Sequence, residues 1–106
     1  MWSFEFANQV AIDEVRALPR DMRAKLERIA RMIESNGLAA MRDPHVQHLQ
    51  DKLWEIRLSG RSGIARSLYV TMTGRRVVVL RTFVKKTQKR PPREIELALM
   101  RAKDVR

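Results

Sequence analysis

Between Leu53 and Val84 the sequence carries three strand-like segments separated by glycine turns, and this stretch dictates most of what the chain can fold into. In Leu53–Leu58 the apolar Trp54, Ile56 and Leu58 alternate with Glu55 and Arg57, the period of two that puts one face of a strand on a core. Gly60-Arg61-Ser62-Gly63 breaks the pattern, Ile64–Met72 resumes it, and Thr73-Gly74 makes a tight turn into Arg76–Val84. The β-branched run of Val77, Val78 and Val79 marks that last segment as a central strand. Strands this close in sequence, joined by short loops, predict an antiparallel meander.

The flanking segments supply the rest of the architecture. Trp2-Ser3-Phe4-Glu5-Phe6 alternates like a short strand. Asn8 is placed to cap a helix bearing Ala11, Ile12, Val15 and Leu18, and Pro19 stops that helix or opens the next. Asp21 is a second candidate cap, followed by the stripe Met22, Leu26, Ile29, Ala30 and Ile33, with Gly37 as the stop. A helical hairpin over residues 8–36 is therefore expected. Residues 38–51, which include Pro44, His45 and His48, lack periodicity and read as a loop. Pro91-Pro92 opens a last helix whose buried stripe is Ile95, Ala98, Leu99 and Ala102. The order is strand, two helices, three strands, helix. It predicts one α+β domain over residues 1–106, built in two layers, with one sheet face on the helices and the other free as a concave platform.

Charge is distributed unevenly over this frame. The net charge is +10. Residues 1–55 hold 8 Lys/Arg against 9 Asp/Glu, whereas residues 56–93 hold 11 Lys/Arg and no acid. All of the excess lies in the block between Glu55 and Glu94. A solvated face is the usual fate of such charge, but cations that interrupt strands point instead to a footprint for a polyanion.

Several chemistries lack their parts. The chain has no cysteine, hence no thiolate nucleophile and no disulfide framework. There is no Gly-x-Ser-x-Gly elbow, and Gly60 and Gly63 do not have phosphate-loop spacing. His45 and His48 with Asp43 and Asp51 make a weak metal set, better read as exposed or capping histidines. No apolar run reaches the roughly 18 residues of a membrane span, and no basic-then-apolar leader opens the chain. A cytoplasmic protein without cofactor or metal is expected.

The remaining candidates are the cations of the meander: Arg57, Arg66, Arg81, Lys85, Lys86, Lys89 and Arg90, with Arg61 in the connecting turn. Arg57 alternates away from the Trp54/Ile56/Leu58 face. Arg66 sits between Ile64 and Leu68, and Arg81 alternates with Val79 and Phe83. Each is a snorkelling edge residue or a member of a basic pocket, and three on successive strands favour the pocket. Tyr69 and Phe83 place aromatic faces among the charges, as single-stranded nucleic acid requires, although Tyr69 suits plain core packing as well.

The pattern Leu53-Trp54-Glu55-Ile56-Arg57, Gly63-x-x-Arg66-x-x-Tyr69, Val79-Leu80-x-x-Phe83-Val84-Lys85-Lys86-Thr87-Gln88-Lys89 and Pro91-x-x-Glu94-Ile95-x-x-Ala98 resembles the phage-derived Gp49-like branch of the RelE/HigB toxin family. The resemblance covers nearly the whole chain, and the Phe-Val-Lys-Lys-Thr-Gln-Lys run is its most specific piece. It implies a RelE-like fold and the toxin of a type II toxin–antitoxin system. Such a toxin is a ribosome-dependent mRNA endoribonuclease that inhibits translation and is neutralised by a cognate antitoxin encoded beside it, often of helix-turn-helix type. It also implies site roles for Arg57, Arg66, Lys85 and Lys86; with Arg81, read from the meander itself, these form the candidate catalytic set, and Arg61, Tyr69, Lys89 and Arg90 are the candidate RNA contacts. Two positions depart from the pattern: Ala65, where relatives often carry an aromatic, and Arg81, where they often carry histidine.

These residues permit metal-independent cleavage in which a ribose 2′-OH attacks its own 3′-phosphate. Arg66 and Arg81 suit the phosphorane charge, because guanidinium is planar, always charged and bidentate. Lys85 or Lys86 suits proton transfer if its neighbours depress its pKa. Glu55 is either a base or the ion-pair partner of an arginine. Two alternatives remain open: a ParE-like inhibitor of DNA gyrase on a similar scaffold, and a non-catalytic basic module that binds RNA or the ribosome.

Overall fold

The computed structural model describes residues 1–37, 46–85 and 92–106. The elements, in order, are β1 (Ser3–Phe6), α1 (Gln9–Arg16), α2 (Arg20–Asn36), β2 (Val46–Gln50), β3 (Leu53–Gly60), β4 (Gly63–Met72), β5 (Arg76–Val84) and α3 (Pro92–Ala102). They form the expected α+β arrangement of strand, helical hairpin, meander and C-terminal helix. Among the described residues no helix is long and apolar enough to cross a membrane.

The meander β3–β4–β5 is the middle of a larger sheet, ordered β1-β5-β4-β3-β2. β1 joins β5 in parallel, Phe4 opposite Val77 and Phe6 opposite Val79. A bidentate ion pair ties the two strands: Arg76 Nε and Nη2 each donate to a Glu5 carboxylate oxygen at 2.9 Å. On the far edge, β2 pairs antiparallel with β3, so residues 46–50 form a strand where a loop was expected, while residues 38–45 of that expected loop lie outside the described residues. The strand's periodicity is hidden by a register shift between His48 and Gln50, and its polar residues Gln47, His48 and Gln50 are exposed on a sheet edge. Pro44 and His45, in the first part of that segment, lie outside the described residues.

The helices double back over the sheet. α2 begins at the β3–β4 turn, where the Asp21 carboxylate meets Arg61, and ends against β1, where Gly37 lies beside the Trp2 ring. Its 17 residues span about 25 Å at 1.5 Å per residue. Asn8 caps α1 as expected, its side-chain oxygen accepting from the Ala11 amide at 2.9 Å. Asp21 has a different task from the expected cap: Pro19 precedes the first turn of α2, and the Asp21 carboxylate accepts from the amides of Met22 and Arg61, both at 2.8 Å. It thereby pins α2 to the β3–β4 turn. Gly37 ends α2 at φ +75°, its amide donating to Ile33 O at 2.8 Å.

Two cores result, one on each sheet face. Val15, Leu18, Met22, Leu26 and Ile33 of the helical hairpin pack on Ile56, Leu58, Ala65, Tyr69, Val77 and Val79. On the opposite face, Ile95 and Ala98 of α3 pack on Leu53, Leu68, Val70, Val78 and Leu80. The second face is therefore not a bare platform, as the two-layer expectation had it. The alternating apolar residues of β4 and β5 point both ways, and α3 covers part of what they expose.

Candidate functional site

The face that α3 shares is also the cationic one. Strand pairing sets Arg57 opposite Arg66 and Arg66 opposite Phe83, a row across β3, β4 and β5. The next row holds Glu55, Leu68 and Arg81. Lys85 follows β5 directly, its amide donating to Ile64 O at 2.7 Å. The sheet thus brings Arg57, Arg66 and Lys85 together around one carboxylate.

That carboxylate, Glu55, is 1% exposed, and Arg66 is 5% exposed. Arg66 Nη1 lies 3.2 Å from Glu55 Oε2, and Arg57 Nε lies 3.6 Å from Glu55 Oε1. The charges are paired, but the hydrogen bonds are incomplete: among the described residues, Glu55 Oε2, Arg57 Nε and Arg66 Nε have no hydrogen-bond partner. Lys85 completes the cluster. Partial desolvation, then repulsion by Arg66 and Arg57, pushes its pKa below the usual lysine range, against a weaker pull from Glu55. Three cations around one acid leave a net positive, partly desolvated patch suited to a phosphate group.

Arg81 is held elsewhere. Leu68 pairs with Arg81 but Tyr69 with Val79, so β5 carries one extra residue at this point. The bulge turns Arg81 to the α3 face, alongside Phe83, instead of the Val79 face that simple alternation predicts. There its Nε and Nη2 meet the two carboxylate oxygens of Glu94 at 3.0 and 3.1 Å, while Nη1 meets Glu14 Oε2 at 2.5 Å. Its guanidinium carbon also lies 5.8 Å from the Phe83 ring centroid. Arg101 Nη1 of α3 donates to Glu14 Oε1 and to Leu80 O, both at 2.8 Å. Glu14 accepts as well from the Thr82 amide at 3.2 Å, on the edge of β5 beyond the end of β1. Burial works against the charge on Glu14, but the bonds from Arg101, Thr82 and Arg81 outweigh it and hold its pKa below the usual carboxylate range. For Arg81 burial is likewise opposed, by Glu94 and Glu14, and its pKa is raised further.

Of the remaining expected site residues, Tyr69 lies on the opposite sheet face, 3% exposed beneath the helical hairpin, where burial raises its phenol pKa to about 12. That is the core-packing position, not a base-stacking one. Arg61 is exposed in the β3–β4 turn, past the Gly60–Gly63 pair and four residues beyond Arg57, about 13 Å along the strand. Lys86, Lys89 and Arg90 lie outside the described residues. His48, part of the weak metal set, stacks edge-on against Trp54 at 5.0 Å and pairs through Nε2 with Asp51 O. Among the described residues no group of three or more potential ligands gathers to hold a metal.

Sequence reasoning missed the Glu14–Arg81–Glu94–Arg101 network. Glu55 and Glu94 bound the acid-free block in sequence, and both fold back onto it. A linear charge count treats them as the edges of the footprint, whereas strand pairing and the return of α3 put them inside it. Glu94, in the first turn of α3 directly after the prolines, was the available signal.

Compared with solved structures, the chain superposes on an arginine-to-alanine double mutant of the E. coli toxin RelE in the free state, with a TM-score of 0.65 and 18% identity over 94% of this chain and 96% of that one. The likeness is one of fold. No curated protein sequence gives a significant match. The model of the phage-derived Gp49-like family (DUF891) matches residues 13–103, taking in most of the helical hairpin, the cationic row and α3, and the chain belongs to that family.

Proposed function

We propose that this protein is the toxin of a type II toxin–antitoxin pair and acts as an endoribonuclease on ribosome-bound mRNA. The observation that carries the reading is the convergence of Arg57, Arg66 and Lys85 on one sheet face of a chain with the RelE fold. A phosphodiester approaching this patch meets two guanidiniums and an ammonium, the groups that stabilise charge on a pentacoordinate phosphorus. In the step proposed, the 2′-oxygen bonds to phosphorus and the bond from phosphorus to the 5′-oxygen breaks. The products are a 2′,3′-cyclic phosphate and a 5′-hydroxyl. The 2′ proton leaves to a base and the 5′-oxygen gains one. Lys85 serves proton transfer, because its lowered pKa brings its two protonation states closer to neutral pH. Lys86, Lys89 and Arg90, next in sequence, add positive charge to the same stretch, which favours a polyanion. An acidic or amphipathic segment of the antitoxin covers this face or blocks its approach to the ribosome.

Arg81 supports a second reading. It stands where relatives often carry histidine, and its guanidinium is occupied by Glu94 and Glu14, so it supplies neither an imidazole base nor an open phosphate donor. A non-catalytic module that binds RNA or the ribosome fits that arrangement. Ribosomes programmed with a defined message separate the two. The nuclease cuts within translated codons, and Arg66→Ala slows it roughly 10²–10³-fold, as the loss of an oxyanion donor does. Intact message, with strongly salt-dependent binding, establishes the module instead. Inhibition of gyrase supercoiling with no RNA cut would establish the ParE-like activity.

A further inference from the structure

Glu55 is the one acid among the site cations, and it is the most deeply buried side chain of the group. A buried carboxylate beside a phosphate site is at first sight a defect, since it repels the ligand and takes up guanidinium donors. The geometry resolves this. The contacts to Arg66 at 3.2 Å and to Arg57 at 3.6 Å hold the cations in place, and both Nε atoms, without a hydrogen-bond partner among the described residues, are closed to solvent. An anion therefore meets the outer side of the guanidiniums, Arg57 being 41% exposed, and the carboxylate behind them sets how they face it.

We infer that Glu55 is the positioning residue of this site: its carboxylate anchors the Arg66 and Arg57 guanidiniums on the sheet face so that they meet a phosphodiester in one fixed orientation. This rests on the reading of the cationic row as a phosphate site. Glu55 acts through the arginines and does not touch the reacting atoms. Simple electrostatics and positioning predict opposite signs for its removal. Loss of a negative charge next to an anion site strengthens anion binding, whereas loss of the anchor weakens it.

Dimethyl phosphate, a minimal phosphodiester, is the probe. It is titrated into the full chain while the arginine Nε–H and lysine Nζ resonances are followed by NMR. In the wild type the Arg66 Nε–H resonance shifts on binding. Glu55→Gln is expected to weaken binding about tenfold, the size of effect that orienting partners have at other charged centres, although the protein gains one positive charge. The groups facing Lys85 among the described residues are Arg66, Arg57 and Glu55, so in Glu55→Gln its titration midpoint moves to lower pH. Glu55→Asp keeps the charge and shortens the reach. It weakens binding while leaving the Lys85 midpoint in place, and it carries the test should the Gln variant fail to fold. Binding as tight as wild type in either folded variant overturns the inference. A wild type that binds dimethyl phosphate at Arg66 but leaves ribosome-bound RNA whole refutes the nuclease reading and leaves this one standing. A wild type that cleaves RNA but shows no Arg66 response to the probe refutes this one alone.

Discussion

Arg81→Ala separates a strut from a phosphate ligand. Arg81 makes three charge-assisted bonds to two carboxylates, and the side chains involved are well buried: 22% exposed for Arg81, 12% for Glu14 and 21% for Glu94. Cutting the side chain back leaves Glu14 with Arg101, which still binds it at 2.8 Å, but leaves Glu94 without its cation. Removing one partner of a fully buried pair costs about 3–5 kcal/mol. Partial exposure and the surviving Arg101 contact reduce that to about 2–3 kcal/mol here. For a domain of this size 1 kcal/mol moves Tm by about 4 °C, so a drop of roughly 10 °C is expected in thermal unfolding at neutral pH. The difference must also depend on pH. Glu14 has a folded pKa below its unfolded one, so its contribution is present above the ordinary carboxylate pKa and is lost as pH falls through the folded value. The two melting curves should therefore converge in acid. RNA binding below the lowered Tm should be close to wild type. A variant that melts within 2 °C of wild type yet has lost RNA binding would refute the strut and return Arg81 to the phosphate site.

Three further outcomes follow from the fold. Gly60→Ala places a Cβ 2.6–2.9 Å from the Asp21 carboxylate, displacing it from the Arg61 amide and lowering stability; in an Asp21→Ala background that cost should vanish, as a double-mutant cycle in urea would show. Gly37→Ala combines a left-handed φ of +75° with a Cβ 3.0 Å from the Trp2 ring and should destabilise by about 1–3 kcal/mol, measured as a lower urea midpoint with an unchanged m-value. Glu5 is held down to about pKa 2, first by hydrogen bonds from Arg76 and then by Ser3, so its stabilising share is complete above the ordinary carboxylate pKa and lost as pH falls toward 2. Glu5→Gln should flatten the acid limb of the stability profile over that window, and an unaltered limb would show that the β1–β5 ion pair contributes nothing.

The sequence made legible whatever depended on local periodicity. The meander, the Asn8 cap, the Gly37 stop and the first turn of α3 at Pro92 all follow from residues within one or two turns of one another. What it concealed depended on register. One extra residue opposite Leu68–Tyr69 rotates Arg81 from one sheet face to the other, and no count of alternating residues reveals where a bulge falls. The shift between His48 and Gln50 hid β2 in the same way. Register also explains why the acid-free block misled as to which cations are available. Arg76 goes to Glu5, Arg81 to Glu14 and Glu94, and Arg57 and Arg66 share Glu55. Each of those carboxylates lies outside the block in sequence and against it in space. Compensation is unequal, and that inequality locates the site. Arg76 and Arg81 have bidentate partners with bonds of 2.9–3.1 Å, whereas Arg57 and Arg66 divide a single carboxylate at 3.2 and 3.6 Å, with Lys85 left facing both. An anion gains most where cations are close together and least well paired. By that criterion the proposed phosphate site belongs at the Arg57–Arg66–Lys85 corner and not at the richer run of charge around Arg81.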